Sequence, residues 1–338
     1  MESKRLWPLG LFGGLVLALS GASFAQAPTL DPTSITQEIE TARLEVPKAV
    51  TLQRVKLGAG PALLTLEGKL VPASPVGGKV AEMVFLGKGK IELSPPDEVE
   101  AGQLELFTGA RKVSETFDRA VLVFGLDRAV DALLRRPAAT LDPQETQEAQ
   151  AAYERWKKGP ERELVGVPGA LWADALGDPA ASGLFAARFH SEDLGDFLYL
   201  FDPNSREQVT LGRFEPIDAS EREKRKIARR IAREQRRGRL IGVELDDLGQ
   251  FDTWLSMSQK GTAGLAPGAE NFEPLLYQLD IDIDDRKASI AGTATITLEP
   301  SIPGARTFRL RLNRDYEVQK VESKGVALPT FRAGERLL

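Results

Sequence analysis

Short apolar runs separated by glycine and proline constrain the fold of this chain more than any other feature of its sequence. The runs cover residues 50–57, 62–66, 69–71, 80–86, 91–93 and 120–124, with glycines at 58, 60, 77, 78, 87 and 89. Apolar runs that are punctuated by turn residues at such short intervals are typical of antiparallel strands. The first half of the chain is therefore predicted to form an antiparallel sheet.

Helical patterns interrupt this β-rich region at three places. Residues 97–106 predict a short helix, and residues 126–134 carry apolar side chains at helical spacing, so this second helix should lie on the sheet. A third helix is predicted from Asp142, which can cap it, with Pro143 in its first turn. Further strands are predicted at 183–190, 197–201, 207–214 and 239–245. Residues 46–257 are therefore predicted to form an α+β accessory domain, mainly β, with packed helices.

A second β-rich region follows a glycine-rich linker at residues 258–271. Apolar and acidic residues alternate from Leu279 to Asp284, and the period of two continues through 290–298 and 308–312. Alternation of this kind places one face of a strand in a core and the other in water. Residues 272–338 are therefore predicted to form an antiparallel β-domain.

The strands of this second region resemble the opening strands of a known enzyme family. The matching stretches are YQLDIDI at 277–283, IAGTATITL at 290–298, FRLRLN at 308–313 and VQKV at 318–321. They are similar to the start of the gluzincin, or alanyl-aminopeptidase, family of zinc metallopeptidases. Upstream, GKVAEMVFLGKG at 78–89 resembles a β-hairpin of secreted bacterial relatives. The resemblance implies that residues 272–338 are the first strands of a saddle-shaped domain, which is incomplete here.

The motifs that this family uses for catalysis are missing from the sequence. The resemblance implies a zinc cofactor, which is held by H-E-x-x-H and a downstream glutamate, and a G-x-M-E-N segment that binds the substrate amino group. Neither motif is present, the chain has no cysteine, and the one histidine, His190, cannot supply two ligands. We therefore expect no catalytic, metal-binding or cofactor-binding residues in this chain, and an inactive protein when it is alone.

The first 25 residues have the pattern of a secretory signal peptide. Lys4 and Arg5 precede an apolar run at 6–19, and the small residues Ser23 and Ala25 precede a cleavage site after Ala25. The run is short for a membrane span, which needs roughly 20 residues, and an uncleaved anchor is the alternative. Residues 26–45 are interpreted as a leader, and the chain is expected to be secreted or periplasmic.

Two features suggest chemistry but have simpler explanations. No G-x-S-x-G or S-x-x-K sequence accompanies His190, which favours a structural or surface histidine. Asp280, Asp282 and Asp284 resemble the start of a calcium loop, but Asp285 stands where that loop needs glycine. A solvated strand face is the better interpretation of the three aspartates.

Two other segments suggest anionic ligands. Gly87–Lys88–Gly89 is interpreted as a turn rather than a phosphate cradle, because no helix start follows it. Residues 220–239 contain ten Lys or Arg and three Glu, giving +7, while the rest of the chain sums to −12. This segment predicts a solvated helix behind a signal peptide, so no nucleic-acid partner is expected, and weak contact with anionic lipid is the alternative.

Two functions remain open from the sequence. The chain is interpreted as the noncatalytic N-terminal region of a secreted aminopeptidase-like metallopeptidase, whose catalytic domain in cis is the implied partner. The alternative is a stand-alone extracytoplasmic binding or interaction module of unknown ligand. An exposed, unfinished sheet edge in residues 272–338 is expected to favour aggregation.

Overall fold

The computed structural model describes residues 31–125, 128–159, 161–162, 166–178, 183–203, 208–216, 249–257, 272–284, 289–300, 307–308, 310–312, 316–333 and 336–337. The predicted signal peptide, the linker at 258–271, the basic segment at 220–239 and the strand predicted at 239–245 lie outside these residues.

An antiparallel sheet of eight strands forms the centre of the described structure. Its strands are β1 (Val50–Ala59), β2 (Ala62–Pro72), β3 (Glu82–Leu93), β4 (Val113–Phe124), β5 (Phe185–Ser191), β6 (Gly195–Phe201), β7 (Val209–Pro216) and β8 (Gly249–Met257). Each strand pairs with the strand that precedes it in the sequence, so the order in the sheet is the order in the chain. The prediction of an antiparallel α+β fold that is mainly β is confirmed.

Helices cover both faces of this sheet. They are α1 (Pro32–Thr41), α2 (Glu98–Thr108), α3 (Arg128–Leu134), α4 (Pro143–Lys158) and α5 (Val167–Ala175). Buried side chains of α2 and α3, such as Leu104 and Leu133, share one core with Leu64 and Phe85 on what we call the inner face. Helices α1, α4 and α5 cover the opposite, outer face in a second core.

The sheet curls strongly around its inner face. The Tyr199 hydroxyl of β6 donates a hydrogen bond of 2.6 Å to the Ala59 carbonyl at the end of β1. These strands are five positions apart, which in a flat sheet would separate them by about 24 Å. The side chain of Phe201 also lies against Gly60 in the β1–β2 turn, where no Cβ atom would fit. The inner core is therefore wrapped by its own sheet.

The glycines at 87 and 89 lie inside a strand, so the interpretation of Gly87–Lys88–Gly89 as a turn is wrong. Strand β3 continues through them with an irregular register between Leu86 and Gly89. Gly87 pairs with Gly68 of β2, and a Cβ atom on either would lie within 2.4 Å of the other strand's backbone. Residues 82–89 all belong to β3, so the stretch 78–89 does not itself form a hairpin. These glycines permit close approach of two strands at a bend, which turn statistics cannot distinguish from a loop.

The edge of the sheet at β1 is covered by the chain that precedes α4. Thr51 N–H donates to the Pro137 carbonyl and Ala139 N–H donates to the Ala49 carbonyl, each at 2.8 Å. Backbone groups of an edge strand that are paired in this way cannot recruit another chain. The pairing explains why the apolar strand β1 can stand at the end of the sheet.

The last part of the chain forms small antiparallel pieces. A long hairpin joins β9 (Phe272–Asp284) to β10 (Ser289–Pro300), and five strands of two residues follow. These are β11 (Leu310–Arg311), β12 (Glu322–Ser323), β13 (Val326–Ala327), β14 (Arg332–Ala333) and β15 (Arg336–Leu337). Phe331 stacks on Trp172 of α5, with ring centroids 5.8 Å apart, so part of this region contacts the outer core.

Candidate functional site

The one histidine of the chain lies in a row of polar residues across three neighbouring strands. His190 of β5 pairs with Arg119 of β4 on one side and with Asp196 of β6 on the other. Arg188 is two residues before His190 and therefore shares its face, which is the outer face of the sheet. The end of α4 adds Arg155, which reaches the same row from above.

A tight turn between β5 and β6 fixes Asp196 opposite His190. The Ser191 hydroxyl oxygen accepts hydrogen bonds from the N–H groups of Asp193 and Leu194, and Gly195 has a φ of 70°. A serine that accepts from the next residues in this way stabilises a turn, and a positive φ favours glycine. The turn therefore sets the register that brings the histidine and the aspartate together.

Asp196 is the acceptor on which the cluster converges. Its Oδ1 lies 2.6 Å from His190 Nδ1, and its Oδ2 accepts from Arg188 Nη2 at 2.9 Å. Arg155 Nη1 lies 3.5 Å from the same Oδ2. An ionised carboxylate only accepts, so Nδ1 of His190 must carry the proton of this hydrogen bond. Arg188 is also 3.6 Å from Glu161, through its Nε atom.

These neighbours keep Asp196 ionised. Partial burial works to raise the Asp196 pKa, but the hydrogen bond from His190 and the positive charge of Arg188 outweigh it. The net effect is a pKa below the ordinary value of a carboxyl group. The carboxylate is therefore charged at neutral pH.

The cluster borders a shallow pocket between α4 and strands β4–β6. Its empty volume is about 360 Å³, part of which is open solvent. It is lined by three arginines, His190 and Asp196, and by apolar residues such as Val121 and Ala152. The pocket therefore combines charged groups with an apolar part of its lining.

The geometry does not form a hydrolytic triad around His190. The neighbouring hydroxyl, Ser191, donates to Glu115 on β4, and adjacent strand residues point to opposite faces. Among the described residues, no hydroxyl is recorded within hydrogen-bond distance of the imidazole. In the part of the chain that the structure describes, the His190–Asp196 pair therefore has no hydroxyl nucleophile beside it.

A second polar cluster lies buried in the outer core. Glu82 is 2% exposed and accepts hydrogen bonds from Tyr153 and Trp156 of α4, each at 2.9 Å. Its two oxygens also accept from Nε and Nη2 of Arg162, at 3.1 and 3.2 Å. Burial, with the Glu82 charge and hydrogen bond, raises the Tyr153 pKa far above its ordinary value, so this phenol stays protonated. Each carboxylate oxygen of Glu82 therefore accepts two hydrogen bonds, and the cluster connects α4 to β3.

The aspartates that resemble a calcium loop lie on an exposed strand. Asp280 and Asp282 belong to β9 and are exposed, and Asp284 is its last residue. Alternate residues of a strand are about 7 Å apart, which is too far for their carboxylates to close around one ion. Among the described residues, no group of three or more His, Cys, Asp or Glu side chains is arranged to hold a metal ion.

Comparison with known proteins identifies no relative, so the geometry of the site is the main evidence on its function. Searches against protein-family models, curated proteins and solved structures each gave no significant match. Within the part of the chain that the structure describes, no helix is long and apolar enough to cross a membrane.

Sequence patterns singled out His190 only to interpret it as a structural or surface histidine, and they missed the residues that surround it. Arg119 is 71 positions before His190, so only strand register brings them together, and no periodicity encodes that register. Glu82 was missed because it stands in an apolar run, where a lone acidic residue is expected at an exposed position. A signal was present, since a charge between apolar neighbours in a buried strand requires a partner.

Proposed function

We propose that this chain is the noncatalytic N-terminal region of a secreted aminopeptidase-like metallopeptidase. The observation that carries the proposal is the uncovered apolar face of the β9–β10 hairpin. Leu279, Ile281 and Ile283 lie on one face of β9 and are 62%, 56% and 66% exposed. The same residues resemble the opening strands of that family, so we expect the remaining strands of the family's first domain to cover them.

The partner strand makes the exposed face wider. Leu279 pairs with Ala294, and Tyr277 pairs with Ile296, so the apolar side of the hairpin extends over both strands. Polar Asp282 and Thr293 occupy the opposite side. A two-stranded hairpin of this kind is marginal by itself and needs further strands or a packing partner. We infer that the rest of a larger β-domain supplies both.

The proposal assigns the chemistry to a catalytic domain in cis. In that domain, zinc would be held by the family's H-E-x-x-H motif, which this chain cannot supply because it has one histidine. The β-rich body at residues 50–257 would then precede the saddle domain as an accessory region.

The coding sequence downstream of Leu338 is the most direct test. An in-frame continuation that contains H-E-x-x-H would support the proposal, and its absence over several hundred codons would contradict it. A biochemical test uses the purified chain. It should neither hydrolyse an aminoacyl-anilide nor bind stoichiometric zinc by metal analysis. One equivalent of tightly bound zinc with chelator-sensitive turnover would overturn the proposal.

The second candidate is a stand-alone extracytoplasmic binding module. The observation that favours it is the pocket beside His190, which is lined by three arginines from the eight-stranded sheet and α4. A body with its own ligand site does not require a catalytic domain. Saturable ligand binding, with no peptidase sequence downstream, would favour this candidate.

A further inference from the structure

The pocket on the outer face has more hydrogen-bond donors than acceptors. Arg119, Arg155 and Arg188 come from three different elements and all line it. The acidic groups near them are Asp196, which also lines the pocket, and Glu161, which contacts Arg188. The three arginines and the two carboxylates together leave an excess charge of +1.

The carboxylate of Asp196 does not use up these donors. Its two oxygens are occupied by His190 and Arg188, and Arg155 reaches it only at 3.5 Å through one nitrogen. The Arg155 side chain is 64% exposed and keeps its other N–H groups free for a ligand. Arg119 is half-buried, and its guanidinium has no ion-pair partner among the described residues. The guanidinium groups of Arg119 and Arg155 can therefore donate hydrogen bonds to a bound anion.

The shape and lining of the pocket restrict which anion fits. Guanidinium groups bind carboxylate and phosphate through paired N–H donors. Apolar residues such as Val121 and Ala152 also line the pocket and cannot solvate a second negative charge. A single excess positive charge and this apolar lining favour a singly charged ligand that has a short alkyl group over a phosphate dianion.

We propose that this pocket binds a small aliphatic carboxylic acid. Its carboxylate would lie between Arg119 and Arg155, and its alkyl group would rest on Val121 and Ala152. The site is independent of the proposed metallopeptidase role, since every residue in it belongs to the eight-stranded body and to α4.

The test uses the single histidine as a reporter. His190 is the only imidazole in the chain, so its ring protons give one set of proton NMR signals from inside the site. The full chain is titrated at constant ionic strength with acetate, propionate, butyrate and inorganic phosphate. We expect saturable shifts with the carboxylates, an affinity gain of about fourfold from acetate to propionate for one buried methylene, and weaker binding of phosphate.

Matched variants connect binding to the arginines. Arg119→Gln and Arg155→Gln should each weaken propionate binding about tenfold or more, as loss of a charge-assisted hydrogen bond predicts. Arg111→Gln is the control, because Arg111 precedes the far end of β4 and pairs with the exposed Glu98. It should bind propionate like the unmodified chain. Arg155 is exposed, so its variant keeps the test valid if Arg119→Gln fails to fold.

Three results would overturn the inference. They are the absence of a saturable His190 shift with any carboxylate up to about 100 mM, unchanged affinity in both pocket variants, and tighter binding of phosphate than of propionate. The coding sequence downstream of Leu338 bears on the proposed function alone, so the two proposals can fail separately.

Discussion

At the scale of single residues, one buried carboxylate connects α4 to the sheet by hydrogen bonds. Glu82 receives hydrogen bonds from a phenol, an indole and a guanidinium, all within the outer core. A buried ion pair of this kind contributes little relative to an apolar pair of the same shape, because both charges lose their hydration. Removal of one partner is costly, since the other charge remains buried and uncompensated.

We predict that Glu82→Gln lowers the free energy of unfolding by about 3 kcal/mol, since Arg162, which is 6% exposed, would lose its counter-ion. The matched control is Glu92→Gln, which removes an exposed partner of Lys90 and should leave the free energy of unfolding nearly unchanged. Urea denaturation of both variants measures the difference. Equal losses would show that the buried network does not stabilise the fold.

The lowered pKa of Asp196 predicts a pH dependence of stability. A carboxyl group whose pKa is lowered by folding stabilises the protein at pH values above the pKa that the group has in the unfolded chain, here 3.8. This contribution is lost as the pH falls through the pKa that the group has in the folded protein. Asp196→Asn should therefore flatten the fall of the melting temperature between about pH 5 and pH 3. Asp193→Asn, in the adjacent turn and exposed, is the control and should retain the steeper fall. Identical profiles for both variants would refute the role of Asp196.

At the scale of elements, the eight-stranded sheet and the β9–β10 hairpin differ in how their apolar faces are covered. The eight-stranded sheet has a core on each face, whereas the β9–β10 hairpin leaves its apolar side in water. Exposed apolar strands recruit other chains. The hairpin is therefore the element that should control the solubility of this chain when it is alone.

We predict that Ile281→Lys reduces self-association and binding of a hydrophobic dye, and changes the free energy of unfolding by less than about 0.5 kcal/mol because the side chain is exposed. Thr293→Lys places the same charge on the polar side of the hairpin and serves as the control. Light scattering and dye fluorescence compare the two variants. If both reduce self-association equally, added charge alone explains the effect and the apolar face does not.

The helices show which elements a sequence can specify. Helix α4 was predicted closely because Asp142 and Glu145 form a capping box, in which each side chain accepts from the other residue's backbone N–H. Helix α5 was missed, since its N-cap residue is Gly166, which supplies no side-chain hydrogen bond. It is buried along its whole length, so it shows no amphipathic period. Local chemistry predicts capped helices, and tertiary burial decides the rest.

At the scale of the whole molecule, the alternation of apolar residues predicted a sheet and left its curvature undetermined. Curling depends on contacts between distant strands, such as Tyr199 with Ala59, and on the paired Gly68 and Gly87. No local sequence pattern encodes that Gly68 of β2 will pair with Gly87 of β3. The composition of the candidate site has the same origin, because Arg119, His190 and Asp196 meet through register alone.

We predict that the mature protein begins at Gln26, because Ser23 and Ala25 have the small side chains that signal cleavage requires. Mass spectrometry of the exported chain identifies its first residue. Replacement of Ala25 by Arg should block processing, and Ala27→Ser, beyond the cleavage site, should leave it unchanged. An intact N-terminus at Met1 on a membrane-bound chain would instead indicate an uncleaved anchor.

The agreement between strand order and chain order has a consequence for the nascent protein. A chain that emerges from its N-terminus presents β1 first, and each later strand finds its partner already exposed as the growing edge of the sheet. No strand must wait for a distant segment that is still unsynthesised. The longest interval between neighbouring strands falls between β4 and β5, while the helices α3, α4 and α5 are made. During that interval β4 is the open edge, and the protein is then most vulnerable to pairing with a neighbouring chain.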